Sequence, residues 1–188
     1  MLTLIIFSPS VILNLMLRLS ASLNNQQVLS LRAGAPIAIA TQPVINPHNL
    51  KILGWWCKVP GGKELVLLAD HIRQIVPEGI AVDDEDDLSM PEELVRFQDV
   101  LNIRYQLLDK LVKTKSQKLG KVSDFSYNDS MYIQKLYVAR SMVKVFTNDD
   151  TLLIDRTQIL EVTDHYILVS DSEIKATDEE LAAVPAAA

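Results

Sequence analysis

Leu67-Leu68-Ala69-Asp70, followed by Val76-Pro77-Glu78-Gly79 and Ile80-Ala81-Val82-Asp83, returns in outline as Leu152-Leu153-Ile154-Asp155, Val162-Thr163-Asp164-His165 and Ile167-Leu168-Val169. The copies stand 85 residues apart at their start (67 to 152) and 87 at their end (82 to 169). In each, an apolar run enters an Asp, one turn follows, and a second apolar run closes the phrase. Short apolar runs bounded by turn residues read as strands. The repetition predicts a duplicated β unit. Neither copy carries a reactive group.

The 188 residues then divide into two units, each of roughly 70 residues and near the lower limit for an independent core, so packing of one unit on the other is expected. With 48% hydrophobic and 22% charged residues the composition is that of a soluble globular chain. The single cysteine, Cys57, excludes an intramolecular disulfide framework and fits a reducing compartment, hence a cytoplasmic location. A net charge of −6 argues against nucleic acid as the main partner, since phosphate binding needs clustered Lys and Arg. Half of that charge lies in residues 173–188, an Ala-rich segment without apolar period that reads as a disordered acidic tail.

Residues 1–17 form an apolar N-terminal extension without Lys or Arg before Arg18. It lacks the basic region of a secretory signal and the roughly 20 apolar residues of a membrane span. Three readings stand: a reading frame extended upstream of a true start at Met16, a weak anchor that would make the chain membrane-associated, or an extra packed element. The first unit, 18–88, continues with strands at 27–31 and 36–39 around Gly34. Pro43-Val44-Ile45-Asn46-Pro47-His48-Asn49 reads as punctuation, because two prolines and two asparagines cannot sit in a paired central strand. Leu50–Cys57 is the most apolar strand candidate, and Pro60-Gly61-Gly62-Lys63 is a hairpin turn. Asp70 and Asp155 read as caps of single turns, the latter supported by Gln158 three residues on. Asp83–Asp87, five consecutive acids without the glycine or spacing of a calcium loop, reads as a solvated connector. Ser89-Met90-Pro91-Glu92 matches a helix start, and Leu94, Phe97 and Leu101 fall on one face of a connecting helix, 89–103. The second unit, 104–172, continues through Leu111–Thr114, a turn at Ser116–Gly120, a strand to Phe125, and a hairpin at Asn128-Asp129.

Two features could form an interaction surface. Trp55 and Trp56 are adjacent in a strand, so they point to opposite faces. One belongs to a core, and the other covers the sister unit or meets a protein partner. Lys110, Lys113, Lys115, Lys118 and Lys121 place five lysines in twelve residues. They are either ordinary protection of strand edges or a patch for RNA or anionic lipid. No motif for catalysis, cofactor or metal is present. His48, His71 and His165 lack ligand spacing, Cys57 sits mid-strand as a buried thiol, and no glycine-rich phosphate loop occurs. The chain is not expected to be an enzyme.

Lys118-Leu119-Gly120-Lys121-Val122-Ser123-Asp124-Phe125, the strand 133–138, Leu152–Arg156 and Val162–Val169 together resemble the PRC-barrel domain. Gly34-Ala35-Pro36-Ile37 stands in the first half where Gly120-Lys121-Val122 stands in the second. The string 18–171 is similar to tandem PRC-barrel proteins of candidate-phylum bacteria. The resemblance implies a mostly β fold, two small barrels in tandem joined by a short helix. It further implies a non-catalytic binding module, as in the photosynthetic reaction-centre H subunit and a ribosome-maturation factor. The expected function is therefore an adaptor that binds another protein. The alternative is a ribosome- or RNA-associated assembly factor that uses the 110–121 lysines.

Overall fold

The computed structural model describes residues 17–20, 24–140 and 151–170. The N-terminal extension, apart from Leu17, and the acidic tail lie outside the described residues. The fold is mostly β, with two curled seven-stranded sheets and one short α-helix. The first sheet comprises β2 (Gln26–Ser30), β3 (Ala35–Asn46), β4 (Lys51–Lys58), β5 (Glu64–Leu68), β6 (Gln74–Val76), β7 (Gly79–Val82) and β8 (Leu88–Ser89). The second comprises β9 (Leu111–Lys113), β10 (Lys118–Tyr127), β11 (Ile133–Ala139), β12 (Thr151–Asp155), β13 (Ile159–Val162) and β14 (Tyr166–Val169). To these it adds β1 (Arg18–Leu19), which pairs with β10. Residue 18 thus begins on the second sheet and not within the first unit, as the sequence had suggested.

The two sheets share one strand order. In the first it is β6-β7-β2-β3-β4-β5, with β8 beyond β5, and in the second β13-β14-β9-β10-β11-β12. Each has a single parallel pair, β2 with β7 and β9 with β14, between otherwise antiparallel neighbours. The registers also coincide. Val28 lies opposite Ala38 and Ile80, while Val112 lies opposite Gly120 and Ile167. The β3–β4 ladder shifts register between Ala40 and Gln42 and between Val44 and Ile45, and the β10–β11 ladder shifts at the corresponding places, Val122/Asp124 and Ser126/Tyr127. A bulge re-aims every side chain after it, so matched bulges keep the same positions facing inward in both sheets.

This register corrects the alignment read from sequence. From β5 to β7 the offset is a constant 87: Trp55 faces Leu67 where Leu136 faces Ile154, and Gly54 faces Leu68 where Lys135 faces Asp155. The partner of Asp155 is Leu68, not Asp70. Asp155 caps its turn, accepting from the Thr157 N–H at 2.9 Å while Gln158 returns to the Asp155 N–H at 2.7 Å. Asp70 lies inside the corresponding 3-10 turn, whose cap is Leu68 and has no side-chain bond. Likewise Ala38-Ile39-Ala40, not Gly34–Ile37, stands opposite the residues equivalent to those facing Gly120-Lys121-Val122.

Two further expectations change. Pro43 lies within β3, paired with Trp55. It is tolerated because β2 reaches only to Ala40, leaving β3 paired on one side there, where a missing N–H costs no ladder bond. Lys118-Leu119-Gly120 belongs to β10, the turn being two residues earlier. The hairpins at 59–63 and 128–132 form as read.

The sheets meet at the tips of equivalent hairpins. Ile52 N–H donates to Met131 C=O at 2.7 Å, and Ile133 N–H donates to Leu50 C=O at 3.0 Å. Leu50 and Met131 both hold positive φ, +52° and +62°. Asn46 and Asn128 both accept turn N–H groups, from His48 at 2.9 Å and Tyr132 at 3.0 Å. Reciprocal exchange between equivalent residues is the pattern an approximate two-fold axis produces. Behind the tips one buried apolar cluster runs through both sheets, joining Ile45, Ile52 and Trp55 to Phe125, Tyr127 and Leu136.

Candidate interaction surfaces

The tryptophans separate as strand alternation requires. Trp55 is fully buried in the shared core, and Trp56 is buried on the opposite, outer face with Val44 and Val66. What covers Trp56 is neither the sister sheet nor an outside partner. It is the connecting segment: two single 3-10 turns (Pro91–Glu93 and Val95–Phe97) lead into α1 (Gln98–Ile103), with Leu94, Phe97 and Leu101 packed against Trp56. The apolar stripe read from sequence is therefore correct in its contact face, while the regular helix is only six residues long. The first 3-10 turn is held by Glu93, which accepts from the Met90 N–H at 3.0 Å, so Met90 and not Ser89 stands at the start of the connector. Arg104 stacks 4.1 Å from the Trp56 ring and pairs with Glu64 at 2.7 Å. Both tryptophans are consequently removed from the candidate surface.

The five lysines divide. Lys110 donates to the Asp164 carbonyl at 2.6 Å and lies 4.6 Å from the Tyr105 ring, an intramolecular role. Val112 points into the core, so its neighbours Leu111 and Lys113 point outward. Lys118 faces Lys113 across the ladder and Lys121 faces Leu111, which places both on the same outer face. Lys115 stands on the adjoining turn, which Thr114 closes by accepting from the N–H groups of Ser116 and Gln117 at 3.2 Å. Lys113, Lys115 and Lys118 with Tyr166 line a shallow groove of about 300 Å³. Lys113 Nζ sits 3.5 Å from the Tyr166 ring centre.

Among the described residues none of these lysines has a carboxylate within 4.0 Å, whereas Arg18, Arg32, Arg73 and Arg104 each do. The arginines are tied into the framework. Arg73 holds Asp83 in a two-point pair that keeps the carboxyl below its ordinary range. Arg156 donates to the backbone carbonyls of Ile133 and Asn49, at 3.3 and 2.6 Å, and locks the hairpin tips together. The acidic block is likewise engaged: Asp83 pairs with Arg73, Asp84 with Arg32, and Asp87 accepts the N–H groups of Asp83 and Asp84 at 2.8 and 3.2 Å. It is a capped turn with ion pairs, more ordered than the solvated connector expected.

At the positions equivalent to those lysines the first sheet carries Leu29, Leu31, Pro36 and Ile39. Leu29 faces Pro36 as Lys113 faces Lys118, and Ile39 faces Gln27 as Lys121 faces Leu111. Leu31 is 63% and Ile39 47% exposed. Sequence reading missed this patch, although strand alternation around the buried Val28 would have located it.

For chemistry, Cys57 is buried and its thiol is pushed up to about 12 by desolvation, as expected of an inert core cysteine. No group of three or more His, Cys, Asp or Glu side chains is arranged to hold a metal among the described residues, nor is any helix there long and apolar enough to cross a membrane. Compared with known proteins, the sequence matches no family model and no curated protein.

Proposed function

We propose that this chain is a non-catalytic tandem PRC-barrel protein, cytoplasmic, acting as an adaptor that binds another protein through the outer face of β2 and β3. In this reading residues 18–88 and 104–172 are the two barrels and 89–103 the connector, with β1 crossing to the second. The common strand order, parallel pair and matched bulges support the tandem reading. The observation that carries the function is the set of exposed Leu31, Pro36 and Ile39 beside the half-buried Leu29. A charged counterpart exists at every equivalent site of the second sheet, so solubility could have been served there and is not. Exposed apolar groups clustered on one strand pair mark a contact surface.

The test is affinity purification of the full chain from its native host, beside a Leu31→Glu/Ile39→Glu variant. One protein should co-purify stoichiometrically, resist high salt, and be lost with the variant while the thermal midpoint is kept. Recovery of the same partner with the variant would contradict this site.

A further inference from the structure

We propose that the outer face of β9, β10 and β14 binds single-stranded RNA, with Lys113, Lys115, Lys118 and Lys121 on consecutive phosphates and Tyr166 stacked on a base. This goes beyond the adaptor reading and concerns the opposite unit. Three observations carry it. The first is an electrostatic conflict within the fold: Lys113 and Lys118 are direct cross-strand partners, and like charges so placed are destabilising. Neither has a carboxylate within 4.0 Å among the described residues. A polyanion laid between them removes that repulsion and releases counterions.

The second is the aromatic. Tyr166 is half-buried on the same face, with the Lys113 ammonium 3.5 Å from its ring centre. That ammonium lies over the ring face, so a base stacks there once Lys113 turns to a phosphate, an aromatic beside lysines being the arrangement that holds an unpaired base while the charges track the backbone. A duplex keeps its bases stacked and offers no face to such a ring. The third is the polar rim. The groove lined by Lys115, Gln117 and Lys118 holds about 300 Å³, and the Gln117 amide supplies both a donor and an acceptor for a ribose 2′-hydroxyl. The Tyr166 hydroxyl donates to the Glu161 carboxylate at 3.5 Å. Of the acidic block Asp83–Asp87, Asp83 and Asp84 are paired with Arg73 and Arg32 in the first unit.

The experiment is fluorescence anisotropy of the full chain with a labelled oligouridine about twelve nucleotides long, a length within the usual single-strand site sizes. With four phosphate contacts the slope of log affinity against log salt should be about −3, a loss of about 50-fold between roughly 50 and 200 mM salt. Lys113→Glu/Lys118→Glu should weaken binding by about tenfold or more, and Lys121→Ala should lower the slope by about 0.7. Tyr166→Ala should cost about fivefold to 100-fold at unchanged slope. Lys118→Glu alone relieves the cross-strand repulsion, so its thermal midpoint should hold or rise while affinity falls, which separates loss of binding from loss of fold. The proposal is overturned by unchanged binding in the double variant, or by equal affinity for the deoxy oligomer. It is equally overturned if the full chain ignores the oligomer but is retained by phosphatidylserine vesicles through the same lysines.

Discussion

Positions 29, 31, 36 and 39 of the first sheet are Leu, Leu, Pro and Ile, while the equivalent positions 113, 115, 118 and 121 of the second are all Lys. Immediately behind them the sheets agree: Val28 and Val112, Ile80 and Ile167, Val82 and Val169 all face the common core. The contrast shows which constraints act on each layer. Inward positions must fill a close-packed interior, so shape and apolarity are fixed. Outward positions are limited only by solubility and by what they touch, so one frame can carry an apolar contact face on one copy and a cationic one on the other.

The largest test of this contrast is on the covered side of the first sheet. Trp56→Ala should cost about 3–5 kcal/mol in urea unfolding, because it empties the space between the sheet and Leu101. A loss under 1 kcal/mol would mean that the connector does not hold there. Next, a Cβ on Gly120 would meet the Ala139 carbonyl oxygen at 2.1 Å at a φ of +156°. Gly120→Ala should cost about 1–3 kcal/mol, even though the first sheet carries Ala38 at the equivalent place. Smaller still is the cap difference. Asp155→Ala should cost about 1 kcal/mol and Asp70→Ala less than about 0.5, and equal costs would restore the alignment read from sequence.

The last difference vanishes at neutral pH. Cys57 has Val138 as its equivalent, so the thiol is confined to the first sheet. Its folded pKa, and that of the Tyr105 phenol, are pushed up to about 12 by burial. Both groups ionise earlier in the unfolded chain. Their stabilisation is therefore complete below pH 9 and is lost as pH rises toward 12. Cys57→Ala should flatten that alkaline slope relative to the parent, measured as the urea midpoint against pH.

Much of the frame was legible because it is local. The repeated apolar runs, the hairpin turns and the opposed tryptophans follow from period-two alternation and turn chemistry. Asp155 was legible as a cap because Gln158 answers it three residues later, and the lysine run because five like residues lie close in sequence. What escaped depends on pairing across the chain. A shift of two residues put Asp70 in place of Leu68, since Leu67-Leu68 and Leu152-Leu153 look alike until a register is known. The outer tryptophan was assigned to the sister unit or a partner because the cover of Trp56 arrives from the connector about forty residues later, and Pro43 seemed to break a strand because the end of β2 is not written in β3. The apolar face at Leu31 and Ile39 was implied by alternation around Val28, but nothing in its own residues marked it as a contact. It stands out only beside the lysines that occupy the same places in the other sheet.

Both proposed roles require one frame with two separate contact faces. This requirement is tested most directly by purifying the parent, Leu31→Glu/Ile39→Glu and Lys113→Glu/Lys118→Glu chains from the native host and scoring bound protein and bound RNA separately. The first variant should lose its protein partner and keep RNA, and the second should do the reverse. Loss of both ligands from either folded variant, or of neither from both, would contradict it.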